Sequence, residues 1–237
     1  MNAEQVTPDF QHTGFNSPVT EFAIMLVARK GKEHSSLGSG VIVGAAVALT
    51  ARHVIEAFSK QHDGKSLEEL QGEGHFSLQA IHFLKDGSEG QSWDVRQIYC
   101  HSDPQFTDIV FLRLEPYRIG SAHHKWSSVR LQLLPPSVGS IVAGFGYHST
   151  ETLVEGDRVQ LSTNPYTTSG IVQEIHDLRR DRAMYTFPCF RTNARFDPAM
   201  SGGPVFSAAG HLCGIISGNV APDPDDPNGE HVSYVAT

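Results

Sequence analysis

The sequence predicts an all-β fold made of two halves of similar size, and three observations support this prediction. About a dozen short apolar runs follow one another along the 237 residues, with turn formers, including 22 glycines and 13 prolines, between them. No long segment has the 3.6-residue period of a helix, and short helical turns are expected only at 53–59 and 65–71. A polar stretch at 118–138 separates two sets of about six runs. Paired barrels and paired sandwiches both fit this pattern.

The apolar runs predict the strands of each half. Because the polar stretch lies between the two sets, we expect an N-terminal domain at 18–120, a linker at 121–138 and a C-terminal domain at 139–237. The predicted strands are 22–28, 39–50, 78–84, 93–99 and 108–114 in the first half, and 140–147, 168–175, 184–190, 203–206, 211–217 and 231–236 in the second.

Composition and charge argue against several classes of protein. The chain has 26 acidic and 18 basic residues, a formal net charge of −8 and no long block of Lys and Arg, so nucleic acid is not an expected partner. The longest apolar runs are shorter than the roughly 18–20 residues that span a membrane, so no membrane association is expected. The N-terminus lacks the features of a secretory signal, and three cysteines are too few for a disulfide-rich secreted protein. We expect a cytoplasmic protein without a cofactor.

The first segment of chemical interest, GSGVIVGAAVALTARHVI at 38–55, is a glycine-bounded apolar hairpin that leads into His53. A histidine placed directly after a buried strand is held rigidly, which suits a general base. Because the chain has 13 histidines, His53 taken alone fits a surface or core-edge position better than a catalytic one.

Asp108 opens the apolar run DIVFLRL at 108–114. A carboxylate in this position becomes partly buried and needs hydrogen-bond donors, and the Nδ1–H group of a histidine is a suitable donor. Without further context, an aspartate that caps or forms a turn is the simpler interpretation.

Ser201 is followed by Gly202 and Gly203 in the segment DPAMSGGPV at 197–205. The two glycines leave the serine hydroxyl with little cover, and backbone N–H groups beside it can stabilise the oxyanion of an acyl transfer. The alternative is a tight Ser-Gly-Gly turn between two strands.

The order of these three residues favours the catalytic interpretation over the three separate alternatives. His53, Asp108 and Ser201 follow one another at spacings of 55 and 93 residues. Serine hydrolases of the subtilisin and α/β-hydrolase types use other orders of the same three residue types. Since His53 and Asp108 fall in the first half and Ser201 in the second, we expect the site in the cleft between the halves.

Together these segments resemble the trypsin-like peptidase family, particularly its bacterial members, over residues 20–236. The resemblance rests on GSGVIV, LTARHVI, DIVFLRL, SIVAGFGY, MSGGPVF and GHLCGIISG. It implies the chymotrypsin-like fold, in which two six-stranded antiparallel β-barrels enclose the active site in the cleft between them. It also implies a selective serine endopeptidase in which Ser201 is the nucleophile, His53 the general base and then acid, and Asp108 the group that orients His53.

The resemblance further implies where a protein or peptide substrate would bind. The backbone N–H groups of Ala199 and Ser201 would form the oxyanion hole. The strand at Ile216, Ser217 and Gly218 would pair with the extended substrate, as in other β-augmentation complexes.

Arg195 aligns with the base of the specificity pocket in digestive relatives. An inward-pointing guanidinium would favour an acidic substrate side chain, whereas an outward-pointing one would be an ordinary surface arginine. The acidic segment at 223–230 opposes an acidic preference, so a small or apolar side chain is the default expectation.

Two positions depart from the family pattern. Ala199 stands where glycine is usual, which predicts strain if this position needs a positive φ, and an oxyanion hole that forms only with substrate or an activator. Met200 replaces the acidic residue that pairs with a newly cut N-terminus in digestive relatives, so regulation would come from a partner or a fused domain. The competing hypothesis is a catalytically silent, protein-binding module, and Ala199 is the one sequence feature that supports it.

No metal site is expected. The acidic loop at 222–230 departs from the EF-hand spacing and its prolines restrict it, which argues against calcium. His123 and His124 lack a third ligand nearby in sequence, which argues against zinc. Cys189 and Cys213 fall on strands that could be neighbours, and two buried reduced thiols fit a cytoplasmic protein better than a disulfide.

Overall fold

The computed structural model describes residues 9–30, 33–66, 69, 76–83, 87, 90–116, 128–155, 158–220 and 231–237. Within these ranges the chain forms two antiparallel barrels of six strands each, which confirms the predicted fold class. A short N-terminal strand, β1 (Asp9–His12), precedes the barrels and pairs with a strand of the second one.

The first barrel closes in the order β2-β3-β4-β7-β6-β5. Its first hairpin is the predicted glycine-bounded segment, with Ala46 at a φ of 59° in the turn. Helix α1 (Arg52–Gln61) follows β4 directly and packs Val54 and Phe58, which lie one turn apart on the same face, against the barrel. The strands are β2 (Ala23–Lys30), β3 (Glu33–Gly44), β4 (Val47–Ala51), β5 (Phe76–Phe83), β6 (Gly90–Tyr99) and β7 (Ile109–Pro116).

The second barrel runs in the order β9-β10-β13-β12-β11-β8 and closes through the pairing of β8 with β9. Strand β1 lies beside residues Tyr166–Ser169 of β9. The strands are β8 (Ile141–Glu155), β9 (Arg158–His176), β10 (Cys189–Thr192), β11 (Pro204–Ser207), β12 (Leu212–Val220) and β13 (Val232–Ala236).

Most predicted elements appear where the apolar runs placed them, and the differences have physical reasons. The predicted turn at 53–59 is part of α1, whereas the one at 65–71 lies mostly outside the described residues. In the predicted strand 184–190, the observed strand β10 begins only at Cys189. The earlier residues Tyr185 and Phe187 are buried in an aromatic cluster, so their apolar character reflects side-chain packing without strand pairing.

The predicted linker at 121–138 lies partly outside the described residues. In its described part, Leu131 forms a parallel bridge with Leu212, the first residue of β12. The Gln132 N–H group donates to the Leu212 carbonyl over 2.8 Å, so the connection is tied to the second barrel. The division at 18–120, 121–138 and 139–237 stays a prediction.

A separate apolar cluster joins the two barrels. Phe145 and Tyr147 of β8 pack against Met25 of β2 and Phe83 of β5, and all four side chains are buried. The Tyr147 hydroxyl donates to the carbonyl of Ala23 over 3.3 Å. Burial raises the pKa of Tyr147 well above its ordinary value, so this hydroxyl keeps its proton. The barrels are therefore held in one orientation by packing as well as by hydrogen bonds.

Replacing Tyr147 by alanine should lower the free energy of unfolding by about 3–5 kcal/mol, because an aromatic side chain buried between the barrels would leave a cavity. Tyr147→Phe, which removes only the hydroxyl, should cost about 1 kcal/mol. Urea denaturation measures both. Leu133→Ala, at a side chain that is 91% exposed, is the control and should change stability by less than about 0.5 kcal/mol. A Tyr147→Ala variant as stable as the wild type would contradict this packing.

Candidate active site

Strands β4 and β7 bring His53 and Asp108 together, although 55 residues separate them. Ala51 at the end of β4 pairs with Ile109 at the start of β7, and the Arg52 N–H group donates to the Asp108 carbonyl. His53, the following residue, and Asp108 therefore lie at the same edge of the first barrel. Nδ1 of His53 lies 2.9 Å from Oδ2 of Asp108, and the His53 backbone N–H group donates to Oδ1 over 3.1 Å. With a proton on Nδ1, both bonds are satisfied and Nε2 is left as the basic nitrogen.

Ser217 is a third partner of the Asp108 carboxylate. Its hydroxyl donates to Oδ2 over 2.5 Å. The Asp108 side chain is only 7% exposed, and a buried carboxylate is costly unless hydrogen bonds compensate for lost water. Three donors from His53 and Ser217 provide that compensation. Sequence reasoning placed Ser217 on the substrate strand and missed this contact, for which no local signal exists.

Ser201 lies where the second barrel meets the first. It follows a 3₁₀ turn, Pro198–Met200, and its carbonyl accepts a hydrogen bond from the Ser39 N–H group of β3 over 2.7 Å. Gly202, at a φ of 82°, donates to the carbonyl of Ile216 over 2.8 Å. A Cβ atom at position 202 would collide with the Ser39 carbonyl and the Thr50 hydroxyl, so only glycine fits. The structure therefore holds the Ser201 turn against β3 and against the end of β4, two residues before His53.

The predicted oxyanion hole is closed in this conformation. The Ser201 N–H group donates to the carbonyl of Pro198 over 3.2 Å, so it is not available to a substrate. The Ala199 N–H group belongs to the same trans peptide as that carbonyl and therefore points the opposite way. Among the described residues, it has no acceptor. Opening the hole requires the Pro198–Ala199 peptide to rotate by about half a turn.

Ala199 is unstrained in the closed turn, because it is not among the residues with positive φ. A 3₁₀ residue has a φ of about −60°, and rotating the preceding peptide by about 180° takes φ to about +120°. This region is unfavourable for any residue with a Cβ atom. The strain that the sequence predicted at Ala199 thus belongs to the open conformation.

The Arg195 guanidinium is bound by Asp197. Nε lies 2.9 Å from Oδ1, and one terminal nitrogen lies 3.2 Å from Oδ2. Because an internal carboxylate already occupies the fork, an acidic substrate side chain would have to compete for it. The role of Arg195 in substrate recognition stays a prediction.

Met200 is fully buried in the core of the second barrel. Gly146 of β8 lies directly against it, and a Cβ atom at 146 would come within 2.6 Å of the Met200 Cα atom. The apolar residue that replaces the family's acidic one is thus a packing residue here.

The predicted substrate strand is β12. Its residues differ in which partners their backbone groups already have within the protein. Ile216 is buried, and its N–H and carbonyl bond to Gly203 and Gly202 within the protein. Gly218 pairs with Tyr234 of β13, and the register shifts between Ile216 and Gly218. Substrate pairing at Ile216, Ser217 and Gly218 stays a prediction.

The remaining sequence features are the possible metal ligands, the cysteines and the apolar segments. Of the predicted segments, 222–230 and the pair His123 and His124 lie outside the described residues. Among the residues that the structure describes, no cluster of three metal-ligating side chains occurs. Cys189 and Cys213 are unbridged, and burial raises their thiol pKa values to about 11 and about 12. In the described part of the chain, no helix has the length and apolar character needed to cross a membrane.

Several solved protease structures have a similar fold. The apo protease domain of MamO from Magnetospirillum magneticum is 16% identical, with 92% of each chain covered and a TM-score of 0.55. The HtrA-type protease AlgW, solved with a decapeptide, is 19% identical, with 94% of this chain and 62% of that chain covered and a TM-score of 0.55. The active form of the Rv3671c protease from M. tuberculosis is 14% identical, with 92% and 77% covered and a TM-score of 0.52. At such identities these likenesses establish the fold alone.

A search of curated protein sequences gives no match. The model of the trypsin-like peptidase domain family, in contrast, matches residues 38–215, which include His53, Asp108 and Ser201. This match covers most of the chain and agrees with the two barrels and with the contact between His53 and Asp108. The chain belongs to the trypsin-like peptidase domain family.

Proposed function

We propose that this protein is a serine endopeptidase that hydrolyses peptide bonds through an acyl-enzyme. The observation that carries the proposal is the Asp108 carboxylate, which binds both the Nδ1 atom and the backbone N–H group of His53 while Ser217 supports it from the other barrel. This arrangement orients one imidazole and leaves its Nε2 atom as a base, which is what a serine nucleophile requires.

In the proposed reaction the Ser201 hydroxyl oxygen attacks the substrate carbonyl while its proton passes to Nε2 of His53. Asp108 stabilises the imidazolium that forms. The tetrahedral intermediate then breaks its C–N bond, and the leaving amine takes the proton from Nε2. Water attacks the resulting ester with His53 again as base, and the acid product and free Ser201 are released. The N–H groups of Ala199 and Ser201 stabilise both oxyanions once the hole is open.

The proposed enzyme is selective and conditional, and it works in the cytoplasm of a bacterium. The closed oxyanion hole supports conditional activity, with substrate, a regulatory partner or a fused domain supplying the energy for the peptide rotation. The three unbridged cysteines, of which two are buried as neutral thiols, support a reducing compartment. Protein or peptide segments are the proposed substrates.

A protein-binding module without turnover is the second candidate function. The hydrogen bond from the Ser201 N–H group to the Pro198 carbonyl favours it, because a hole that never opens cannot stabilise an oxyanion. The two candidates differ in the reactivity of Ser201.

A fluorophosphonate probe should label Ser201, because the oriented His53 activates its hydroxyl. Intact-mass spectrometry of the folded protein, with and without casein peptides as trial substrates, measures the adduct. Ser201→Ala should abolish labelling and peptide cleavage, and Ser207→Ala, at the last residue of β11, should alter neither. An unlabelled Ser201 under all these conditions, together with a biological effect that survives Ser201→Ala, would support the binding module instead.

Ser217→Ala should lower kcat about tenfold with little change in KM, because a hydrogen bond to a buried charged group is lost and His53 is held less firmly. Steady-state cleavage of a peptide measures both constants. Ser217→Thr, which restores a hydroxyl, should recover part of kcat. A change confined to KM would assign Ser217 to substrate binding alone.

Ala199→Gly should raise basal activity about tenfold, because glycine reaches the positive φ of the open hole without steric cost. The rate of fluorophosphonate labelling without an activator measures the effect. Ala183→Gly, in the exposed turn before β10, is a control for loss of an alanine and should leave the rate unchanged. A lower labelling rate in Ala199→Gly would show that closure of the hole does not limit activity.

A further inference from the structure

Asp197 occupies the N-cap position of the turn that closes the oxyanion hole. Its φ of −79° and ψ of 155° are those of a capping residue, and the turn begins at Pro198, which is favoured at this place. An aspartate in such a position normally accepts a hydrogen bond from the second or third N–H group of the turn. Those groups belong to Ala199 and Met200.

The Asp197 side chain makes no capping bond in this structure. Two neighbours hold its carboxylate away from the turn. Arg195 donates to both oxygens over 2.9 and 3.2 Å, and Nε2 of His148 lies 3.3 Å from Oδ2. The Asp197 carboxylate, which would accept the capping bond, is therefore bound to Arg195 and His148 instead.

The two neighbours are anchored on the second barrel. The Arg195 N–H group donates to the hydroxyl of Thr168, a fully buried residue of β9, over 3.2 Å. The next side chain, Phe196, is buried in the barrel core, and His148 lies on β8. Because β8 and β9 are paired, the carboxylate is held against a rigid part of the fold.

We propose that Arg195 and His148 are positioning residues, which keep the Asp197 carboxylate from capping the closed turn and so keep the oxyanion hole able to open. The inference rests on the proposed peptidase function and assigns Arg195 a role other than the predicted specificity pocket.

A capping bond between the Asp197 carboxylate and the Ala199 N–H group would favour one of the two conformations of the oxyanion hole. In the closed turn the Ala199 N–H group points toward the N-terminal end of the turn, where a capping carboxylate lies. After rotation the same group points toward the oxyanion. A bond from Asp197 to Ala199 would therefore stabilise only the closed conformation, and it would place a negative charge on a donor that catalysis requires. Holding Asp197 aside removes this penalty.

The test uses a pair of substitutions with opposite expected effects. Arg195→Met removes the charged fork but retains an apolar side chain. Because the remaining contact from His148 reaches only Oδ2, the other oxygen of Asp197, Oδ1, is released and caps Ala199. We expect kcat for peptide cleavage to fall about fivefold, the equivalent of one N-cap bond, with KM little changed. Asp197→Ala added to Arg195→Met removes the capping acceptor and should restore kcat to the wild-type level. Arg191→Met, at an arginine bonded to Glu174 on the same barrel, controls for the lost charge.

A purely structural role predicts a different pattern, since two destabilising substitutions would add to each other instead of cancelling. A specificity role for Arg195 would raise KM for substrates with acidic side chains, and Asp197→Ala would not reverse it. A double variant no more active than Arg195→Met would therefore overturn the inference.

A second measurement decides the question without any turnover. In protein labelled with ¹⁵N-alanine, the Ala199 amide should move downfield and exchange more slowly in Arg195→Met, because it gains a carboxylate acceptor. Both changes should disappear when Asp197→Ala is added. An amide that is unchanged in Arg195→Met would refute the inference. If the wild type neither reacts with a fluorophosphonate nor cleaves peptides, the proposed function fails while this measurement still tests the positioning role.

Discussion

The contact between strand β3 and the Ser201 turn is the interaction on which the rest of the site depends. Ser39 is fully buried, its N–H group binds the Ser201 carbonyl, and its hydroxyl accepts from the Tyr147 N–H group over 2.9 Å. The Thr50 hydroxyl donates to the Ser39 carbonyl over 2.7 Å, so the backbone of β3 is itself held in place. One residue of the first barrel thus sets the position of Ser201, the proposed nucleophile, which the second barrel carries. Gly202 is required because this approach leaves no room for a side chain.

The pair of His53 and Asp108 and the turn before Ser201 differ in how firmly hydrogen bonds hold them. Asp108 has three hydrogen-bond donors and little exposure, so His53 has one orientation. The Pro198–Ala199 peptide is held by a single hydrogen bond, which its carbonyl accepts from the Ser201 N–H group. Burial and hydrogen bonding therefore fix His53, the proposed base, whereas a single turn bond holds the N–H groups of the proposed oxyanion hole. In the proposed enzyme, the contacts that stabilise the fold are thus separate from the bond that controls activity.

Much of the fold could be predicted from the sequence, because strands and turns depend on local patterns. The apolar run 108–114 and the hairpin that ends before His53 became β7, β3 and β4. The run 184–190 was misleading, since Tyr185 and Phe187 are buried by aromatic neighbours and not by strand pairing. Burial by itself does not specify hydrogen-bond partners, and this is why a purely apolar signal overestimated the strand.

The sequence alone determined which residues could carry the chemistry and in which half each one lies, since His53, Asp108 and Ser201 have recognisable neighbours and a characteristic order. Only the tertiary structure decided which contacts those residues make. The Ser217 hydroxyl reaches Asp108 across 109 residues, and Nε2 of His148 on β8 reaches the Asp197 carboxylate. Side-chain direction depends on the packing of distant strands, and no local pattern of residues records it.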